Sequence, residues 1–164
     1  MNLFRPLTNH FPFARFLVAG ESMEPTLAPG DLVVAIRIGK RRPPRRGEIV
    51  VAKDTENSAL HDVKRVIGLP NERVAMAGGA IFIDGRRLWE PYPIRPKVAP
   101  HSEGEWKLSE SHYFLLGDNR SFSTDSRQKG PLDAHLLVGR VWLRYHPWRK
   151  RGRVHSKAWV PEIR

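Results

Sequence analysis

Short apolar runs separated by Gly and Pro recur along the whole chain. The runs are rich in Val, Ile and Leu and three to nine residues long, which is the pattern of an all-β protein. They predict strands near residues 14–19, 32–38, 48–53, 62–67, 73–77, 80–83, 87–89, 112–116 and 137–145. Asp84-Gly85 between Ile81-Phe82-Ile83 and Arg86-Arg87-Leu88 is a two-residue hairpin signal. No 15-residue window holds a clean 3.6-residue apolar period, so long helices are excluded, and one short helical turn is expected near 133–137. The Pro-rich, polar stretch 91–105 reads as a surface loop. No internal repeat is visible. The outline is two strand-rich halves with a hairpin excursion between them.

The 164-residue length suits one ordinary domain, and 40% apolar with 9% aromatic residues is enough for a core. The absence of Cys excludes disulfides, thiolate zinc sites, iron–sulfur clusters and a cysteine nucleophile, and leaves the redox compartment undecided. The balance of 28 Lys+Arg against 17 Asp+Glu gives a net charge of +11, which attracts polyanions. Much of the excess lies in Arg37 to Arg46 and in a C-terminal cluster from Arg140 to Arg164. An aromatic–basic nucleic-acid motif is lacking, which favours an anionic lipid surface over nucleic acid as the partner. A spanning helix needs about 20 mostly apolar residues. The longest N-terminal candidate, residues 11–20, is interrupted by Pro12 and Arg15. Phe4, Phe11, Phe13 and Phe16, near Arg5 and Arg15, either seat the N-terminus at a membrane interface or cover the core.

Three segments carry chemistry. In Gly20-Glu21-Ser22-Met23-Glu24-Pro25, a strand runs into Ser22 and Pro25 forces the chain out of it. That exposes a hydroxyl, as a nucleophile requires, although the same residues make ordinary turns. In Asp62-Val63-Lys64-Arg65-Val66, strand alternation puts Lys64 on one face with Asp62 and Val66, and Arg65 on the other. A solvated lysine is the commoner meaning of such a strand. The third segment, 117–127, packs hydroxyl, carboxylate and guanidinium groups more densely than a bare turn needs. Ser22 is not in a Gly-x-Ser-x-Gly elbow, no His has a triad context, and the histidines lack metal-ligand spacing. A serine with a lysine base is the remaining known variant.

The three segments, in this order, resemble the boxes of the type I signal peptidase family, serine endopeptidases with a Ser-Lys dyad. The likeness runs from about residue 13 to 147. It includes Gly30-Asp31, Arg46-Gly47-Glu48-Ile49-Val50-Val51, Lys64-Arg65 through Gly68-Leu69-Pro70, Glu90-Pro91-Tyr92, Gly117-Asp118-Asn119-Arg120 with Ser123 to Arg127, and Gly139-Arg140. Each piece is weak alone, and their joint order and spacing are specific. The resemblance implies a mainly β fold of antiparallel sheets, like signal peptidases and SOS-repressor proteases, with a central hairpin excursion at about 73–110. It implies a short segment 1–12, a peptidase domain 13–148 and a basic tail 149–164.

The resemblance also assigns roles. Ser22 is the expected nucleophile and Lys64 the general base. Ser123 is expected to hold the Lys64 ammonium by a hydrogen bond, Asp125 and Arg127 to pair and brace their loop, and Met23 to shape the site. The oxyanion hole falls to the Ser22 backbone N–H and the Gly20 region, because Gly20 stands where one branch of the family has a Ser. Glu48 replaces the usual Asp. A lysine in water stays protonated to a pH of about 10, so a lysine base needs burial, helped by positive neighbours such as Arg65 or Arg127. Neither a cofactor nor a metal is implied.

The expected substrate is a preprotein cut after small residues. An alternative is a propeptide removed from a soluble partner, as in the maturation protease of nickel-type superoxide dismutase. A non-enzymatic basic lipid- or nucleic-acid-binding module is the remaining reading. The family's usual N-terminal membrane helix has no counterpart before Ser22. The expected location is therefore peripheral to the cytoplasmic membrane on its extracytoplasmic face, with a soluble cytoplasmic protein as the alternative.

Overall fold

In a computed structural model, described for residues 12–39, 42–55, 57, 59–95 and 103–154, apolar alternation has become two antiparallel sheets. The strands are β1 (Phe13–Leu17), β2 (Leu32–Arg37), β3 (Ile49–Lys53), β4 (His61–Gly68), β5 (Arg73–Ala77), β6 (Ala80–Ile83), β7 (Arg86–Arg87), β8 (Gly104–Lys107), β9 (His112–Leu116), β10 (Leu132–Asp133), β11 (Leu137–His146) and β12 (Gly152–Arg153). The larger sheet runs β1-β2-β11-β3-β4-β9-β10, with β12 on β11, and the smaller runs β7-β6-β5-β8. The single α-helix among the described residues is α1 (Ser126–Lys129). The turn expected near 133–137 is a 3-10 helix at Ala134–Leu136.

Strand period decides which core each residue joins. On β3, Ile49 and Val51 enter a cluster with Val18, Met23, Leu27, Val33, Ala35 and Val141, while Val50 and Ala52 enter another with Val66, Tyr113 and Leu115. Both faces of β3 are therefore covered, which is why its sequence is continuously apolar. Ile67, Phe114 and Leu116 point the opposite way, into a third cluster with Val74, Met76, Ile81 and Ile83 of the smaller sheet. The Asp84-Gly85 turn joins β6 to β7 with φ of 49° and 78°, the two positive values a type I′ hairpin requires.

The stretch 91–105 is not wholly loop, because its last residues open β8, which pairs Gly104–Lys107 with β5. Trp106 of β8 packs on Phe114 at 4.6 Å between ring centroids and closes the third cluster. Tertiary cover of that one aromatic overrides the polar, Gly-containing local sequence.

Two features of the larger sheet prepare a site. β1 is an edge strand, bonded among the described residues only to β2. β4 pairs with β9 only from Arg65 onward, so His61 to Lys64 have a strand partner on the β3 side alone among the described residues. The sheet curls enough to bring the Phe16 ring of β1 within 5.6 Å of the His61 ring of β4.

Gly68, at the end of β4, lies where the two sheets meet. A Cβ there would stand 2.5 Å from Val74 Cγ2 and 2.7 Å from Leu108 Cδ1. Gly68→Ala is expected to cost about 1–3 kcal/mol by overpacking. A denaturant midpoint equal to that of the parent would contradict this packing.

Candidate active site

The nucleophile turn begins where β1 ends. Glu24 N–H donates to Glu21 O at 3.0 Å and Leu27 N–H to Met23 O at 2.9 Å, wrapping the chain into a helical coil about Ser22. Met23 and Leu27, four residues apart, share one face of this coil and are completely buried. They anchor it while Ser22 stays partly accessible. The return to β2 is closed by Val18 N–H to Asp31 O and Gly30 N–H to Val18 O, with Gly30 at φ 89°.

Lys64 comes from the middle of β4, paired across to Val50. Its Nζ donates to Ser22 Oγ at 3.0 Å. The lysine is only 5% exposed, so its amine is withdrawn from bulk water against apolar strands. The strand neighbour on the same face, Asp62, places Oδ1 3.6 Å from the amine.

The third segment leaves β9 at Gly117 and enters α1. Asp125 is the hub. Its carboxylate accepts from Gly117 N–H at 3.0 Å and from Arg127 Nε and Nη2 at 2.8 and 2.9 Å, and caps α1 through Arg127 N–H. Gln128 returns a bond to Asp125 N–H, completing a capping box. Arg127 Nη2 also donates to Ser123 O at 3.1 Å. The segment reaches back to the nucleophile: Asn119 N–H donates to Ser22 O at 3.0 Å and its side chain to Glu21 O at 3.2 Å.

Beneath these groups is a buried charge network that strand alternation puts on the far side of β4. The Arg65 guanidinium forks onto Asp118, at 2.7 Å from Nε and 2.5 Å from Nη2, with both side chains fully buried. Gly47 O takes Nη1, Thr26 Oγ1 bonds the carboxylate, and the Tyr92 ring lies 3.7 Å from the guanidinium carbon. Tyr92 donates to Glu90 at 2.6 Å, and Glu90 receives Arg120, whose Nε holds Gly117 O. Burial and the Glu90 carboxylate raise the pKa of the Tyr92 hydroxyl well above that of a free phenol. Burial alone would lower the pKa of Arg120, and Glu90 outweighs it to leave it raised.

Two sequence expectations need correction. Ser123 Oγ is buried and has no hydrogen-bond partner among the described residues, Lys64 included, so in this structure it does not hold the amine. Its backbone carbonyl is tied to Arg127, and its hydroxyl faces the bare Cα of Gly117, where an added Cβ would stand 2.3 Å away. Nor do Arg65 and Arg127 act as bare positive neighbours of Lys64, because each is neutralised by its own carboxylate, Asp118 or Asp125. Gly20 is exposed, with nothing within 4 Å of the place a Cβ would occupy. The sequence reading passed over the partners Thr26, Glu90 and Arg120. The one signal for them was that their motifs lay beside the chemical ones.

The chain is similar to known proteins over most of its length. The sequence model of the family described as "Signal peptidase, peptidase S26" matches residues 3–148. A "Probable signal peptidase I-2" of Synechocystis is 37% identical over 136 residues, 79% of this chain, and the chain spans 62% of that relative's length. "Signal peptidase I T" of Bacillus subtilis is 38% identical over 152 residues, 87% of this chain and 78% of the relative. The crystal structure of a signal peptidase I from Enterococcus faecalis superposes with a TM-score of 0.52 at 29% identity, covering 60% of this chain and 97% of that one. With family model, relatives and solved structure in agreement, the chain belongs to the signal peptidase family, peptidase S26.

Proposed function

We propose that Ser22 and Lys64 form a nucleophile–base dyad that removes N-terminal signal peptides from preproteins after small residues. The protein is a serine endopeptidase of the signal peptidase I type. The observation that carries the dyad is the 3.0 Å contact between Lys64 Nζ and Ser22 Oγ, made by a lysine that is largely buried. That distance is within reach for direct proton transfer.

Ser22 Oγ attacks the scissile carbonyl as its proton passes to Lys64 Nζ. The C–N bond then breaks, Lys64 returns the proton to the leaving amine, and an ester remains on Ser22. Water attacks that ester with Lys64 again as base, releasing the acid and restoring the hydroxyl. The Ser22 backbone N–H, with the open Gly20 region beside it, is where the oxyanion is proposed to be held.

The substrate is proposed to lie extended between the outer edge of β1 and the side of residues 61–64 of β4 that faces away from β3, adding as a strand. Val18, Met23 and Leu27, on either side of Ser22, and Val63 of β4 pack in one apolar cluster. Closely packed side chains leave room for small residues rather than large ones. The relatives are signal peptidases, and nothing in them supports the propeptide-maturation alternative.

Docking at an anionic membrane surface is proposed for the same end of the molecule. Phe13 and Trp142 stack at 6.0 Å and are 47% and 39% exposed, beside exposed Leu17 and Trp148 and the basic Arg15, Arg149 and Arg151. Phe4 and Phe11, expected to join them, lie outside the described residues. No helix among the described residues is long and apolar enough to cross a membrane. The extracytoplasmic face is the proposed side, since secreted preproteins emerge there.

Three outcomes are expected with a preprotein carrying an Ala-x-Ala site, its products read by mass. Ser22→Ala and Lys64→Ala each lower kcat by a factor on the order of 10⁴ or more while leaving the fold intact. Cleavage that survives Ser22→Ala would refute the dyad. Gly117→Ala, whose Cβ would stand 2.3 Å from Ser123 Oγ and 2.5 Å from Ser22 O, is expected to displace the nucleophile and lower kcat more than 100-fold. Full activity in that variant would refute the close approach of the two loops. Vesicles containing anionic lipid are expected to raise cleavage of a membrane-bound preprotein, and neutral vesicles to raise it less.

A further inference from the structure

We propose that Asp62 is a positioning residue for the lysine base: its carboxylate holds the Lys64 amine beside Ser22 and sets the pH above which the dyad works. Lys64 needs a restraint that Ser123 does not supply, since the Ser123 hydroxyl has no hydrogen-bond partner among the described residues. Apart from Ser22 Oγ, the amine's partner is Asp62 Oδ1 at 3.6 Å. That spacing is an ion pair rather than a direct hydrogen bond. A cavity of about 30 Å³ bounded by Asp62, Lys64, Asp125 and Lys129 adjoins the pair and has the size of one water.

The other charges around the amine do not substitute for Asp62. From the loop before α1, Asp125 is committed to Arg127 and Gly117 N–H. Arg65, on the far face of β4, is committed to Asp118. From the nucleophile turn, Glu24 faces Arg95. From α1, Lys129 binds Asp54 at 2.7 Å and reaches Asp62 Oδ2 at 3.9 Å. Lys53 and His61, the neighbours on β3 and β4, are exposed. Asp62 thus stands between two amines, one buried and one at the surface. Its side chain is 36% exposed, so it can be altered without burying an uncompensated group.

The sign follows from charge. A carboxylate beside an amine favours the ammonium, which cannot take the Ser22 proton. Asp62→Asn removes that preference. It should move the acid limb of the kcat/KM profile to lower pH. Lys129→Ala frees Asp62 from a competing amine and should move the limb the other way, by less. Asp62→Asn also loosens the amine, so kcat on the alkaline plateau falls several-fold while KM changes little.

The kinetic arm rests on the peptidase reading above, and a second arm does not. In protein labelled with ¹³C at lysine, the Lys64 Cε resonance followed against pH reports the same proton without any cleavage. The expected result is a midpoint lower in Asp62→Asn and higher in Lys129→Ala than in the parent, with unchanged thermal unfolding. Coincident midpoints in all three proteins, or shifts of the opposite sign, overturn the proposal. Absent Ser22-dependent cleavage with the midpoints displaced as expected overturns the peptidase reading and leaves the Asp62–Lys64 coupling standing.

Discussion

Everything at the site hangs on a buried ion pair that takes no part in the chemistry. Arg65 and Asp118 are both fully buried and meet through two parallel hydrogen bonds, the geometry in which such a pair is best compensated. Charges this deep cost several kcal/mol each to desolvate, so the pair tolerates little movement without losing its compensation. Lys64 and Arg65 are adjacent on one strand, and alternation sends them to opposite faces. Fixing the Arg65 guanidinium between Gly47 O, Asp118 and the Tyr92 ring therefore fixes the strand from which Lys64 reaches Ser22.

The same pair joins parts of the chain that are far apart. Thr26, four residues after the nucleophile, bonds the Asp118 carboxylate, and Asn119, next to Asp118, holds Ser22 O. The excursion through the smaller sheet returns in Glu90-Pro91-Tyr92, which covers Arg65 and pins Arg120. A nucleophile at 22, a base at 64 and a loop at 117–127 are thus held by one connected set of bonds. The loop-closure entropy of assembling them is met by burial on both faces of the sheet. The two faces divide the work: fully buried paired charges on one side give rigidity, and a largely buried amine beside Ser22 on the other gives reactivity.

Most strands were legible in the sequence because period-two burial writes itself into apolar spacing, as in β5 and β6, because cover on both faces makes β3 a continuous apolar run, and because Asp84-Gly85 supplies the φ values of its turn. β8 was not, since one tryptophan seated on Phe114 outweighs its polar neighbours. α1 was not, because four residues are too few for a helical period and only the Asp125 capping box marks it. The positions of Ser22 and Lys64 could be named from motif order, whereas their 3.0 Å separation depends on curling of the sheet, which no local pattern encodes. The free Ser123 hydroxyl was hidden for the same reason: whether a loop serine reaches an amine is decided by where Gly117 lets the loop sit. Asp62 shared a face with Lys64 in the strand pattern, but its closeness became meaningful only once Arg127 and Arg65 were seen to be neutralised.

The most direct test of this account is a double-mutant cycle on Arg65 and Asp118, read by both unfolding free energy and Ser22-dependent cleavage. The account predicts that Asp118→Ala costs about 3–5 kcal/mol by stranding a buried guanidinium, and that Arg65→Met with Asp118→Leu recovers much of that stability. It also predicts that Asp118→Ala loses cleavage under conditions where the protein is still folded, because β4 no longer presents Lys64 to Ser22. An Asp118→Ala protein with parental stability and parental cleavage would contradict it.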